Sequence, residues 1–285
     1  MKVKNFYDKD SSTFSYVITD NDTLKCAIID PVLEYNQSTG KCSTVNADKM
    51  IKYIKENNLI CEWVLETHIH ADHLTAADYI KSKLNIKVGI GEGVKSILDY
   101  WVNIFNINKE VSLEGTHFDK LFYDNEVIKI GNLNIKILKT PGHTPSCVSY
   151  LIEDRIFVGD TLFMPYAGTA RADFPGGSSS ILYKSIKKIL SLPPKTKIYT
   201  CHDYPKVSGE QKSMSTVGIQ NEKNIMINKN ISLSKFVKLR DKRDSEIEPP
   251  NLIYPSIQVN IRNGDLGKQE SNGVRYIKIP IQNYR

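Results

Sequence analysis

The run Thr67-His68-Ile69-His70-Ala71-Asp72-His73 places three imidazoles and a carboxylate directly after an apolar, strand-like stretch, Cys61 to Glu66. In an extended chain alternate residues share a face, so His68 and His70 point together, and Asp72 and His73 follow where the chain turns into a helix. Three other segments carry the same residue types at the ends of β-like stretches: Thr140-Pro141-Gly142-His143-Thr144, Val158-Gly159-Asp160-Thr161 and Cys201-His202-Asp203-Tyr204. A lone histidine is usually a surface or hydrogen-bonded residue. Here five of the six in the chain fall in these segments, and only His117 stands apart. Imidazole nitrogens and carboxylate oxygens hold zinc, iron or manganese, and seven of them could hold one or two ions. Any fold of this chain has to bring four loops, spread from residue 68 to residue 202, to one point. Gly142 allows the tight turn that presents His143, and Gly159 lets the backbone bend so that Asp160 faces the same place.

The pattern between these loops is strands followed by helices, twice. Thr13 to Thr19 and Leu24 to Ile29 read as a hairpin across Asp20-Asn21-Asp22. Helical spacing covers about Ala47 to Asn57, then Leu74, Ala77, Ile80 and Leu84, then Val94 to Phe105. Strands are expected at 127–130, 133–138, 147–152 and 156–158, a helix from about Ser180 to Leu190 and a strand at 197–200 that leads to His202. Two sheets packed face to face with helices outside, an α+β αββα four-layer sandwich, follows from this repeat. Residues 206–285 hold one helical pattern, Leu233 to Asp244, and β-like pieces near 256–261 and 275–279. The expected organisation is a metal-binding domain over 1–205 and a C-terminal extension, 206–285, packed on it.

Charge and composition exclude several classes. With 40% hydrophobic residues in 285, the chain can bury a large core. No run approaches a membrane span and the first residues lack a signal-peptide stretch, so a cytoplasmic protein is expected. The five cysteines are scattered without a CxxC pair, which argues against disulfides or a cysteine zinc site. Residues 1–205 carry 24 basic and 24 acidic side chains, whereas the last 80 carry 14 and 8. The basic run Lys235 to Arg243 has Asp241, Asp244, Glu246 and Glu248 interspersed in and after it and no aromatic ladder, so it reads as a solvated helix face and not as a nucleic-acid surface.

His68, His70, Asp72, His73, His143, Asp160 and His202 match the H-x-H-x-D-H signature, with its distant His, Asp and His, of the metallo-β-lactamase superfamily. The chain also resembles the persulfide dioxygenase branch in Thr140-Pro-Gly-His-Thr-Pro-Ser-Cys-Val, Gly159-Asp-Thr-Leu-Phe, Arg171-Ala-Asp-Phe, Leu182-Tyr-Lys-Ser-Ile and His202-Asp-Tyr. Asp173-Phe-Pro-Gly-Gly, Gln258-Val-Asn-Ile-Arg and Asn272-Gly-Val-Arg-Tyr-Ile-Lys-Ile-Pro are similar to its bacterial β-lactamase-hydrolase-like members. The resemblance implies oxidation of glutathione persulfide, or a related thiol persulfide, by dioxygen to sulfite and thiol at one Fe(II) per chain. It implies His68, His143 and Asp160 as iron ligands, with His70, Asp72, His73 and His202 surrounding them or holding a second metal. It assigns catalytic roles to Asp72 and His202 and places Arg171 and Tyr204 near the substrate. The family also leaves room for a homodimer, with no nucleic-acid or membrane partner.

Two other readings use the same residues. A dinuclear zinc hydrolase similar to glyoxalase II would bridge two ions with Asp160 and cleave a thioester through a metal-bound hydroxide. A non-catalytic metal-binding sulfur carrier or sensor would keep the site closed and turn over neither substrate. Cys201 beside His202 is read as a small buried thiol.

Overall fold

A computed structural model describes residues 1–203 and 210–281. In chain order its strands are β1 (Lys2–Asp8), β2 (Thr13–Thr19), β3 (Lys25–Ile29), β4 (Val32–Asn36), β5 (Lys41–Ser43), β6 (Ile60–Leu65), β7 (Leu74–Thr75), β8 (Lys87–Gly91), β9 (Lys120–Phe122), β10 (Val127–Ile130), β11 (Leu133–Lys139), β12 (Val148–Ile152), β13 (Arg155–Phe157), β14 (Lys197–Tyr199) and β15 (Met214–Thr216). Its helices are α1 (Val45–Glu56), α2 (Ala77–Leu84), α3 (Val94–Phe105), α4 (Ser179–Leu190), α5 (Val217–Lys223), α6 (Leu233–Asp244) and α7 (Ile253–Asn260). Serine or threonine side chains cap three of them: Ser178, Thr216 and Ser232 accept from the N–H groups of Ile181, Ile219 and Lys235.

Two six-stranded sheets form, in the orders β1-β2-β3-β6-β8-β9 and β10-β11-β12-β13-β14-β15, beside a small sheet β5-β4-β7. The buried apolar residues separate into three layers. Tyr16, Ile18, Ile29 and Leu65 of the first sheet meet Ile135, Ile137, Tyr150 and Phe157 of the second. The opposite face of the first sheet, with Val17, Ile28, Val64 and Val88, packs under Met50, Ile54, Ile80, Leu98 and Trp101 of α1, α2 and α3. Leu138, Ile156 and Ile198 of the second sheet pack under Leu182, Ile186, Val217 and Phe236 of α4, α5 and α6. Three cores between four layers make the αββα sandwich. The alternation of β2 shows why: successive residues Tyr16, Val17 and Ile18 serve different cores, so the strand is apolar throughout.

The sandwich sets the ligand loops at one edge. β3 pairs with β6 in parallel, Ile29 opposite Leu65, so Asp30 and Glu66 leave neighbouring strands side by side. β13 pairs with β14 in parallel, which puts Asp160 and His202 at adjacent strand ends.

The hairpin β2–β3, helices α1 to α4 and α6, and strands β10 to β14 lie where the sequence pattern puts them, within a few residues at the ends. The 256–261 piece does not: it is the helix α7. Ile257, Val259 and Ile261 suggested a strand with alternate residues out, but Ser256, Gln258 and Asn260 are buried as well. The Gln258 and Asn260 side chains are inside because they bond to other segments, and Pro255 stands in the first helical turn, where its missing N–H costs nothing. No regular element forms at 275–279. The basic helix α6 is solvated along Lys235, Lys238, Lys242 and Arg243, but Arg240 is buried and paired with Asp244 at 2.7 Å. Among the described residues no helix is long and apolar enough to cross a membrane.

Candidate metal centre

The residues named from the sequence converge. One donor atom from each of His68, His143 and Asp160 falls within 4.8 Å of the others, and the same holds for His70, His73, Cys201 and His202. The His68 and His143 Nε2 atoms lie 3.9 and 3.8 Å from Asp160 Oδ2. His202 Nε2 lies 3.3 Å from Asp160 Oδ1 and 3.2 Å from Asp72 Oδ2, so Asp160 stands between the two groups. Tyr204 lies outside the described residues.

Backbone geometry explains how each donor is presented. His143 leaves a turn where Gly142 has φ +134°, and a Cβ there would sit 2.3 Å from the backbone of Leu182. Gly159 has φ +51° and lies against Thr67, where a Cβ would meet Oγ1 at 2.4 Å. These are the two positions the sequence marks as turns, and each needs glycine both for conformation and for space.

Hydrogen bonds set the histidine tautomers. His143 Nδ1 donates to the Arg171 carbonyl at 2.7 Å, and His73 Nδ1 donates to the Leu74 carbonyl at 3.2 Å. A carbonyl only accepts, so the proton is on Nδ1 and the Nε2 lone pair faces the site. His68 Nδ1 meets Thr67 Oγ1 at 3.0 Å, and its Nε2 has no hydrogen-bond partner, nor do His73 Nε2, Asp72 Oδ2 and Asp160 Oδ1.

His70 differs. Its Nε2 lies 3.2 Å from Asp30 Oδ1 and 3.6 Å from Glu66 Oε2, leaving Nδ1 as the donor toward the site, again without a partner. Asp30 also accepts from the Thr67 N–H and hydroxyl at 2.7 and 2.8 Å, so one carboxylate orients both the loop and the ring.

The electrostatics are those of a cation site. Burial holds His68 well below its ordinary pKa, with the neighbouring histidines adding to the effect, and burial likewise lowers His143. Burial pushes the Asp160 carboxyl up. His70 is driven well above its ordinary value because Asp30 and Glu66 outweigh its burial, and Asp72 is held low because His202, His73 and His70 outweigh its own. The unprotonated Nε2 atoms of His68, His73 and His143 and the carboxylate oxygens of Asp72 and Asp160 repel where they face one another, and a metal ion turns that repulsion into coordination. The residues therefore fit a metal. Cys201 is buried and its thiol pushed far up by that burial, consistent with a small interior thiol.

A cleft of about 1120 Å³ reaches the centre at Asp72 and His73. It is bounded by the β1–β2 turn, by β4 and β5, and by Pro250, Asn251 and Leu252. Asp72, 24% exposed at its side chain, is the most open of the seven donors. Arg171 grips Asp173 with Nε–Oδ1 at 2.6 Å and Nη2–Oδ2 at 2.7 Å, and donates to the Glu248 carbonyl at 2.7 Å, two residues before the cleft-lining Pro250.

Asp30, Glu66 and the Arg171 carbonyl escaped the sequence reading. Asp30 had a signal, an acid ending an apolar strand beside Pro31, which also marks a strand stop. The carbonyl had none, because every residue carries one.

The sequence profile described as the metallo-beta-lactamase superfamily matches residues 8–202. A Dictyostelium discoideum protein named Glyoxylase B2 is 49% identical over 98% of this chain and 97% of its own length. The mitochondrial persulfide dioxygenase ETHE1 of Bos taurus is 28% identical over 92% of this chain and 88% of its own. The crystal structure of ETHE1 from Myxococcus xanthus superposes with a TM-score of 0.75 at 26% identity, covering 93% of this chain and 100% of that one. With the fold, the seven donors and these likenesses in agreement, the chain belongs to the metallo-beta-lactamase superfamily.

Proposed function

We propose that the protein is a non-haem Fe(II) persulfide dioxygenase, converting a thiol persulfide, dioxygen and water into thiol, sulfite and two protons. The observation that carries this reading is the trio His68, His143 and Asp160, two imidazoles and one carboxylate with donor atoms within 4.8 Å of one another, on a scaffold that superposes on ETHE1 over 93% of this chain. Iron, held by His68, His143 and Asp160, would supply the electrons that dioxygen takes up.

The remaining residues serve the reaction from around the trio. The Arg171 carbonyl keeps His143 in the tautomer that binds metal through Nε2. Asp72 and His202, 3.2 Å apart where the cleft meets the centre, are the pair to accept and pass on the protons released. Thr67, with both its N–H and hydroxyl held by Asp30, steadies the His68 ring. Arg171 ties the rim at Glu248, and the family resemblance assigns Arg171 and Tyr204 to the thiol's carboxylate.

A second reading has its own support. His70, His73 and His202 with Asp72 and the shared Asp160 would complete a two-zinc hydrolase centre, and the 49% identical relative is named a glyoxylase. Zinc there would supply a hydroxide for thioester cleavage.

Metal analysis after iron-replete expression, combined with oxygen uptake on glutathione persulfide and cleavage of a glutathione thioester, separates the two. The dioxygenase requires iron and oxygen consumption. Two zinc ions, thioester cleavage and no oxygen uptake would refute it.

A further inference from the structure

The loop that carries His68, His70, Asp72 and His73 is closed from outside by one side chain of the C-terminal region. Asn260, the last residue of α7, donates through Nδ2 to the His70 carbonyl at 2.8 Å and to the His73 carbonyl at 2.9 Å. Its Oδ1 accepts the Thr75 N–H at 2.8 Å. Two carbonyl acceptors and one N–H donor fix the orientation of the amide.

Asn260 is 2% exposed, between Val259 and Ile261 at 0%, and α7 packs against β7, so the amide is held in place by the fold. Each of the three backbone groups it satisfies would otherwise be buried without a partner. The bonds span the turn between the paired histidines and the start of α2, where a shift of the backbone moves His70 and His73 together.

A second anchor from the same region reaches the other ligand loop. Asp244, at the end of α6, accepts the Ala172 N–H at 2.9 Å, beside the Arg171 carbonyl that orients His143.

We propose that Asn260 is a positioning residue of the metal centre, and that the C-terminal region thereby belongs to the metal-holding machinery. This is independent of whether iron or zinc is the working metal. It concerns retention and geometry of the ion and leaves the reaction aside.

The test is titration of metal-free full-length protein with Co(II), which reports affinity and, through its visible d–d bands, ligand geometry. Asn260→Ala should bind Co(II) about 10- to 100-fold more weakly, with altered bands, and should lose much of the rise in Tm that Co(II) gives the wild type. Gln258→Ala is the control: among the described residues that side chain bonds Lys278 of the same region, and its variant should titrate like wild type. Asn260→Asp keeps an acceptor for Thr75 but turns an oxygen toward the two carbonyls, so it should behave like the alanine variant if the latter does not fold. Unchanged affinity and bands in a folded Asn260 variant would overturn the proposal. So would failure of both variants to fold where Gln258→Ala folds, since Asn260 would then serve the fold and not the metal.

Discussion

Replacing Asp244 with alanine leaves Arg240 without a counter-charge in a place that water barely reaches. Arg240 is 1% exposed and gives Asp244 Oδ1 two bonds, from Nε at 3.0 Å and Nη2 at 2.7 Å, while Nη1 donates to the Thr169 carbonyl at 3.0 Å. The lost charge and bonds put the cost at about 3–5 kcal/mol, the range for breaking a buried pair from one side. The Ala172 N–H also loses its acceptor, a cost of about 1–3 kcal/mol that overlaps with the first, since the segment will relax. At about 2–4 °C per kcal/mol for a chain of this size, the Tm should fall by roughly 10 °C. Removing both charges, Arg240→Met with Asp244→Leu, exchanges the pair for apolar volume and should restore stability to within about 1–2 kcal/mol of wild type. Urea unfolding of the wild type, the single variant and the double variant measures this. A single Asp244→Ala costing under about 1 kcal/mol, or a double variant as unstable as the single, would refute the argument that an orphaned guanidinium is the source.

Three further outcomes are expected. Asp160→Ala removes the carboxylate that stands between both donor groups; metal affinity should fall by more than about 100-fold, read by metal analysis after dialysis. Gly142→Ala adds a Cβ 2.3 Å from the Leu182 backbone at φ +134°, so strain of about 1–3 kcal/mol and weaker metal retention should appear together in melting and Co(II) titration. His117, away from the centre, is held below its ordinary 6.5 by burial. Below pH 6.5 the unfolded chain therefore binds a proton there that the folded chain resists, so this group lowers stability as pH falls from 6.5 toward the folded value and has no effect above. The difference in unfolding free energy between wild type and His117→Gln should slope with pH in that window alone; a flat difference would show that burial of His117 is not felt.

The seven donors were legible because chemistry and spacing coincide: histidines two apart in an extended chain, then an acid and a histidine at the turn, cannot all be core or surface residues. The strands and helices were legible where one face is apolar. α7 was not, because its polar residues are buried for bonding, and burial of Gln258 and Asn260 breaks the link between polarity and exposure. Likewise β15 and α5, at 214–223, carry too short a pattern to register alone, and β15 exists as a strand through pairing with β14.

What the sequence determined by itself is the identity of the groups that meet a metal and the layers that carry them, since residue type and periodicity act locally. What only the tertiary structure decided is how those groups are aimed. The Arg171 carbonyl on His143, Asp30 on His70, and Asn260 on the loop between His70 and Thr75 join residues far apart in the chain. Such bonds leave no periodic trace, because a backbone carbonyl or a single buried amide acquires its role from the neighbour that the fold brings to it.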